Sequence, residues 1–203
     1  MAEKILMNKN SLAALKMELR EYQSALPVFE MKEQQLKEAV EEIEHSITRL
    51  KNAIEETNKE IKKWVAVMAE RQVDLSDMAQ IGRVVIRKQE IAGVTIESFV
   101  DVTFENTEID LFSTPLWVDA AIEMIIDQKT GEIILEIERK NAELLREELA
   151  EARRMKNALK EVFIPEAIVN IRKIEIYLGD VERLAIGCAK LVKKKKQDKK
   201  ATI

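Results

Sequence analysis

The sequence predicts a mainly α protein: a long antiparallel two-helix coiled coil made by the N- and C-terminal segments, with a small β-containing globular head contributed by the middle of the chain. Three observations carry this. Near the start, apolar residues keep a strict three-four spacing through roughly eight heptads. In the middle the apolar period changes from about 3.5 to about 2 residues. Turn-formers are scarce throughout: among 203 residues there are five glycines and three prolines, against 34% charged and 46% apolar side chains. An all-β fold or a multi-element α/β enzyme draws on Gly, Pro, Asn or Asp at nearly every connection. With aromatics at only 4%, the apolar residues are mostly the aliphatic ones that a helix seam uses. The expected organisation is an N-terminal helix over 1–75, a head over 76–113, a second helix over 114–192 and a basic, disordered tail over 193–203.

The first helix is read from Leu12, Leu15, Leu19, Tyr22, Leu26, Phe29, Glu33, Leu36, Val40, Ile43, Ile47, Leu50, Ile54, Thr57, Ile61, Trp64 and Met68. Only Glu33 and Thr57 break the stripe, which is more regular than packing on a globular core needs. It must face another helix. From near Ser11 to near Val73 such a helix measures about 90 to 100 Å, whereas a compact chain of this length has a radius of gyration of about 17 Å. An extended rod is therefore expected. Asn10 or Ser11 is placed to cap it, and Pro27 is expected to bend it without ending it, because the heptad phase continues across the proline.

In the head, Val84-Val85-Ile86 form a short β-prone run. Ile91-Ala92-Gly93-Val94 then introduces a glycine followed by alternation, with Val94, Ile96, Val100, Val102 and Phe104 set against Asp101, Thr103 and Glu105. This predicts two or three strands with a bulge or turn at Gly93. Roughly 40 residues without metal or disulfide barely bury a core of their own, so the head is expected to rest on the adjoining helix ends.

Ser113-Thr114-Pro115 announces the second helix, with a hydroxyl cap and a proline in the first turn. Its stripe opens with Trp117, Ala120, Ala121, Met124 and Ile125, is expected to run continuously across Gly131, and resumes through Leu145, Leu149, Ala152, Met155, Leu159, Phe163, Ala167, Ile171, Ile174, Leu178, Val181, Ala185, Cys188 and Val192. The repeated four-residue spacing from Met155 to Ile171, around Pro165, exceeds 3.6 and marks a local stutter. After it, LVKKKKQDKKATI carries six lysines and one aspartate, a net +5. Like charges in a run repel, so a solvated tail is expected.

The catalytic inventory is empty. There is no GxxxxGK phosphate loop, HExxH, CxxC or nucleophile elbow. His45 is the only histidine and has no cysteine nearby, so no convergent metal set forms around it. Cys188 falls on the stripe, where a thiol acts as a small apolar residue. Glu33 with Lys37, Glu55 with Lys59 and Glu136 with Lys140 are spaced for i,i+4 ion pairs on solvated faces. No catalytic residue, cofactor or metal is expected. One cysteine forms no internal disulfide, the opening residues lack a signal-peptide core, and no stretch of about 18 uncharged apolar residues occurs. A cytoplasmic chain without membrane insertion is expected. The lysine run has no interleaved aromatics, so no nucleic-acid partner is expected either.

Specific words in the sequence carry a resemblance. Arg153-Arg154-Met155-Lys156-Asn157-Ala158-Leu159, followed by Val162-Phe163-Ile164-Pro165, closely resembles the signature stretch of the D subunit family, the central-stalk rotor subunits of V-type and A-type rotary ATPases. Asn170-Ile171-Arg172-Lys173-Ile174 and Tyr177-Leu178-Gly179-Asp180 are similar to its bacterial branch. Asn10-Ser11-Leu12 with Leu15, Leu26-Pro27 with Met31-Lys32, and Ile91-Ala92-Gly93-Val94 resemble its first helix and its mid-chain turn. The chain departs from the family pattern at Met155, Lys156, Lys160 and Glu161.

The resemblance implies a non-catalytic rotor shaft, peripheral to the membrane, of an ATPase or ATP synthase that moves H+ or Na+. Both ends of the coiled coil would enter a hexamer of alternating A and B subunits, and the middle would meet the F subunit and the C/d-type adaptor of the membrane ring. It further implies partner contacts at Arg153, Arg154, Asn157, Leu159, Ile164 and Pro165 and at the turn residues Ile91, Gly93 and Val94. Two other classes stand beside it. A prefoldin-like chaperone also places β structure between antiparallel helices, and a homodimeric scaffold could pair the first helix with its own copy. The matching second stripe in the same chain favours intramolecular pairing through effective concentration.

Overall fold

The computed structural model describes residues 6–68, 79–105 and 117–201. In chain order these form helix α1 (Lys9–Met68), strands β1 (Gln80–Ile91) and β2 (Val94–Glu105), helix α2 (Trp117–Ala158), a π-helical turn (Leu159–Phe163) and helix α3 (Ile164–Ala201). The architecture is the expected one: an N-terminal and a C-terminal helical segment around a small two-stranded antiparallel sheet. The Ser113-Thr114-Pro115 start of the second helix and Arg71 and Val73, near the end of the first, lie outside the described residues, as do the side chains of Trp64 and Met68.

The chain divides into two compact units, one made of 1–31 with 152–203 and the other of 32–151. In the second, α1 supplies Leu36, Ala39, Val40, Ile43 and Ile47 to the core, and α2 supplies Leu135, Ala142 and Leu145. Gly131 lies inside α2, which continues through it as expected. A Cβ there would stand 3.1 Å from Cγ1 of Ile54, so the missing side chain lets the two helices approach closely. At the rim of the seam Arg146 donates from Nη2 and Nε to Oε1 of Glu44 at 2.6 and 3.1 Å, and Lys32 Nζ donates to Glu148 at 3.1 Å.

The β-hairpin closes on Ala92 and Gly93, whose φ angles of 51° and 83° are both positive. Positive φ at both central residues is the pattern of the two-residue hairpin turns whose twist matches that of the strands. The antiparallel register runs from Ile91 opposite Val94 to Gln80 opposite Glu105, with irregularities at Ile81/Arg83 and Val85/Ile86. A two-stranded ribbon alone is marginal in water, and this one is supported at both ends. Val94 and Ile96 are buried near the turn. At the base Phe104 packs with Trp117, Ile125 and Ile126 around buried Ala79, Val118 and Ile122. Ala79 has φ 53°, and its carbonyl accepts a 2.8 Å bond from Lys129 Nζ.

In the first unit α1 begins one residue after its cap. Asn8, rather than Asn10 or Ser11, is the capping residue: its Oδ1 accepts the Ser11 N–H at 2.7 Å. Helix α1 continues through Pro27. Ion pairs of Lys9 with Glu182 (3.4 Å) and Lys16 with Glu175 (2.6 Å) fix an antiparallel register, because seven residues forward on α1 match seven back on α3. Across the whole chain every described member of the predicted first stripe, from Leu12 to Ile61, is buried or half-buried, including the stripe-breakers Glu33 and Thr57.

The second stripe needs correction at two places. Met155 and Phe163 stand 40% and 41% exposed, while Ala152, Leu159, Ala167 and Ile174 are buried. Those buried positions step by seven, eight and seven residues, and the eight-residue step spans the π-turn. There the Ile164 N–H donates to the Leu159 carbonyl, five residues back. Pro165 explains the placement: it has no N–H to give the Glu161 carbonyl, and its ring crowds that oxygen in a regular helix. Phe163 instead stacks on Tyr22, with ring centroids 5.6 Å apart.

The second correction concerns the far end of α3. Val181, Ala185, Cys188 and Val192, expected in the seam, are all exposed, as is every described side chain from Asp180 to Gln197. The reason is length. The first residue of α1 is level with Glu182, so the rest of α3 has no described helix to pair with. The lysine run is also helical, to Ala201, where a disordered tail was expected. Lysine is a good helix former, and cations in the last turns oppose the negative end of the helix dipole.

Candidate interface surfaces

The residues expected to meet partners fall into two groups, one in each compact unit. Around the π-turn, Arg153, Arg154, Asn157 and Pro165 are exposed, Ile164 is half-buried, and Leu159 is 4% exposed. Leu159 therefore belongs to the seam and positions the others. Around the hairpin turn, Gly93 is exposed, Ile91 half-buried and Val94 buried. Val94 anchors the turn from beneath, and Gly93 supplies its backbone geometry.

Sequence reasoning missed two features. The first is Asn141 on α2, only 3% exposed. Its Nδ2 donates to the Glu97 carbonyl at 2.6 Å and its Oδ1 accepts the Glu97 N–H at 3.0 Å. One amide side chain thus satisfies both backbone polar groups of a β2 residue and ties the hairpin to the helix. Its only signal was a polar residue among apolar neighbours at helical spacing. Grooves of about 660 and 230 Å³ flank it. The smaller is lined by Glu42, Arg49, Ser98 and Glu138 among others. Burial first, and the Glu42 carboxylate second, push the Glu138 carboxyl above its ordinary value.

The second missed feature is the free end of α3. Asp180, Arg183, Leu184, Gly187, Cys188 and Leu191 form one side of the helix at three-four spacing and line an open depression of about 550 Å³. Leu184 is 69% exposed there. Leu184, Gly187, Cys188 and Leu191 thus make an exposed strip that no described helix covers. Lys190 lies beside its last residue, and Lys193 to Lys196 follow it.

The remaining expectations concern surface charge. Glu55 with Lys59 and Glu136 with Lys140 pair as expected, at 3.1 and 2.8 Å, whereas Lys37 pairs with Glu41. The hydrogen bond from Lys140 holds the Glu136 carboxyl below its ordinary value. Among the described residues no group of three or more His, Cys, Asp or Glu is arranged to hold a metal ion, and no helix is long and apolar enough to cross a membrane.

Comparison with known proteins is decisive about kinship. The family model for the ATP synthase D subunit matches residues 11–194. The chain belongs to the ATP synthase D subunit family. It is 35% identical over 190 residues to the V-type ATP synthase D subunit of Borreliella burgdorferi, covering 94% of each chain. It is 31% identical over 112 residues to that of Chlamydia muridarum, covering 55% of each. The corresponding protein of Chlamydia trachomatis serovar L2 is 30% identical over 112 residues, again covering 55% of each. The family match includes the π-turn, the hairpin and the free end of α3 up to Lys194. The chain is thus a rotary ATPase subunit by descent, and its surfaces are to be understood as those of one component in a larger assembly.

Proposed function

We propose that this chain is the central-stalk rotor subunit of a V/A-type ATPase or ATP synthase, coupling nucleotide turnover in a hexamer of A and B subunits to rotation of a membrane ring and transport of H+ or Na+. The observation that carries the reading is the family match along almost the whole chain. The physical features support it. The apolar stripe of α1 faces an intramolecular seam, and the outer faces are largely charged, with Met17, Val28 and Met31 exposed among them, which suits contacts that are made and released as a shaft turns. Nucleotide chemistry resides in the hexamer, and this chain acts by contacting its states unequally. In this reading the chain itself is not an enzyme.

The unpaired apolar strip of α3, with its lysines, is assigned to the hexamer cavity. Arg153 and Arg154 are assigned to acidic loops of the A or B subunits. The hairpin and its turn are assigned to the F subunit and the C/d-type adaptor, which keeps the chain peripheral to the membrane. The reading is tested by purifying the chain from its native cells in mild detergent, identifying its companions by mass spectrometry and assaying ATP hydrolysis. Two large ATPase-type subunits in excess over this chain, with hydrolysis by the assembly and none by the chain alone, are expected. A small coiled-coil oligomer carrying varied unfolded clients would replace the rotor with the prefoldin-like reading.

A further inference from the structure

The two edges of the hairpin are not alike. In an antiparallel pair each residue points its N–H and C=O either toward the neighbouring strand or away from it, and the two residues of an opposed pair do the same. Glu97 gives both its N–H and its C=O to Asn141, so both point away from β1. Lys88 lies opposite Glu97, and its backbone groups must therefore point away from β2. The same follows two residues on for Glu90, opposite Thr95, and two residues back for Ile86, opposite Phe99. The outer edge of β2 is blocked by a buried amide. Among the described residues, the outer edge of β1 has no backbone partner at these positions.

An edge that no described backbone covers, on a twelve-residue strand, is a template for strand addition, and proteins usually blunt such edges. This one carries exposed Val85 and Ile86 beside Arg83, Arg87 and Lys88, with Glu90 the one acidic residue on β1. Those charges choose between occupants. A second copy added antiparallel about Lys88, the middle of these three outward positions, would set Lys88 against its own copy, and like charges directly opposite are destabilising. A strand bearing carboxylates is favoured instead.

We infer that the outer edge of β1, at Ile86, Lys88 and Glu90, receives an extended, carboxylate-bearing strand of a partner subunit, adding a third strand to the hairpin. Main-chain bonds would supply the affinity, and Arg83, Arg87 and Lys88 the selectivity. This deepens the assembly reading and rests on it only in requiring that a partner polypeptide be present.

The test compares backbone hydrogen exchange of the full chain alone and in the complex purified from its native cells. Exchange at Ile86, Lys88 and Glu90 should slow by about tenfold or more in the complex. Lys88→Pro removes the outward N–H while leaving the bonds to β2 in place. It should abolish that protection at Ile86 and Glu90, whereas Lys88→Ala should largely keep it. Unchanged β2 exchange in the proline variant shows that the hairpin still folds. Recovery of the ATPase subunits without protection at these amides overturns the inference and leaves the rotor reading standing. Protection already present in the dilute chain alone overturns it, because the chain then covers its own edge. Protection that rises with the concentration of the isolated chain overturns it in favour of a second copy. A chain that purifies without any partner overturns both readings.

Discussion

At the scale of single residues the hairpin turn is the most exposed to test. Ala92 and Gly93 both hold positive φ, and an L side chain there costs roughly 1 to 2 kcal/mol. Nothing lies within 4 Å of a Cβ built on Gly93, so the cost of Gly93→Ala is conformational. Thermal unfolding should show Gly93→Ala destabilised by about 1 kcal/mol and Ala92→Gly unchanged or slightly stabilised; equal effects from the two would rule out strain at the turn. Glu138 gives a pH-dependent case. Its pKa is raised in the folded chain by burial and by Glu42, so the folded state binds the proton more tightly than the unfolded state. Stability should therefore fall as pH rises from the ordinary carboxylate range through the raised value. Glu138→Gln should unfold later than the parent at pH 7, by less than about 1 kcal/mol because the half-buried group is screened. The two should melt alike below the unfolded carboxylate pKa, and a gain that persists there would refute the assignment. The turn was legible from Gly93 in the sequence. The Glu138–Glu42 approach was not, because nothing in a linear string says which carboxylates meet across a helix pair.

At the scale of elements the first helix was readable almost residue by residue, since a heptad stripe records the partner's direction at every turn and the seam residues of α1 are covered wherever they are described. The second helix was less readable around Pro165. A run of four-residue spacings fits several stripes, and the choice depends on where the extra residue is absorbed. The structure absorbs it in one π-turn between Leu159 and Phe163. This has a specific consequence. Deleting Lys160 shortens the step from Leu159 to Ala167 to seven residues, restoring a regular heptad while leaving Pro165 inside an ordinary α-helix. The deletion alone should cost up to about 3 kcal/mol, the penalty of an interior proline. Adding Pro165→Ala should recover most of that loss, whereas Pro165→Ala alone should leave the π-turn in place. Chemical denaturation of the three variants gives the comparison. A doubly changed chain as unstable as the single deletion would mean that the extra residue serves something other than seam phase. Asn141 teaches the complementary lesson: its neighbours declared a buried face, but its partner, the Glu97 backbone, is 44 positions away. Asn141→Ala leaves a buried donor and acceptor unpaired and should cost about 2 kcal/mol, with faster exchange of the Glu97 amide as its local signature.

For the whole molecule the decisive asymmetry is between the part of the C-terminal helix that this chain uses for its own fold and the part that it does not. Up to Leu178 the buried and half-buried positions of α3 belong to a seam shared with α1. From Asp180 to Gln197 they give way to a continuous exposed surface with an apolar strip and a cluster of lysines. Sequence periodicity could not show this, because the stripe continues at the same spacing whether or not a partner helix from the same chain is present. In the proposed function such a surface has a use: the chain folds on one region and offers the other to neighbouring subunits of the assembly. A chain ending at Arg183 should therefore unfold within about 0.5 kcal/mol of the parent, as surface changes away from packed groups do. The same truncation, reassembled with the remaining subunits, should bind the hexamer weakly and lose ATP hydrolysis coupled to transport. A large fall in the thermal midpoint would show that residues beyond Arg183 pack on this chain after all. Full coupling with undiminished stability would remove the free end of α3 from the contacts proposed for the rotor and leave the π-turn group, Arg153 and Arg154 first among them, as its proposed grip on the hexamer.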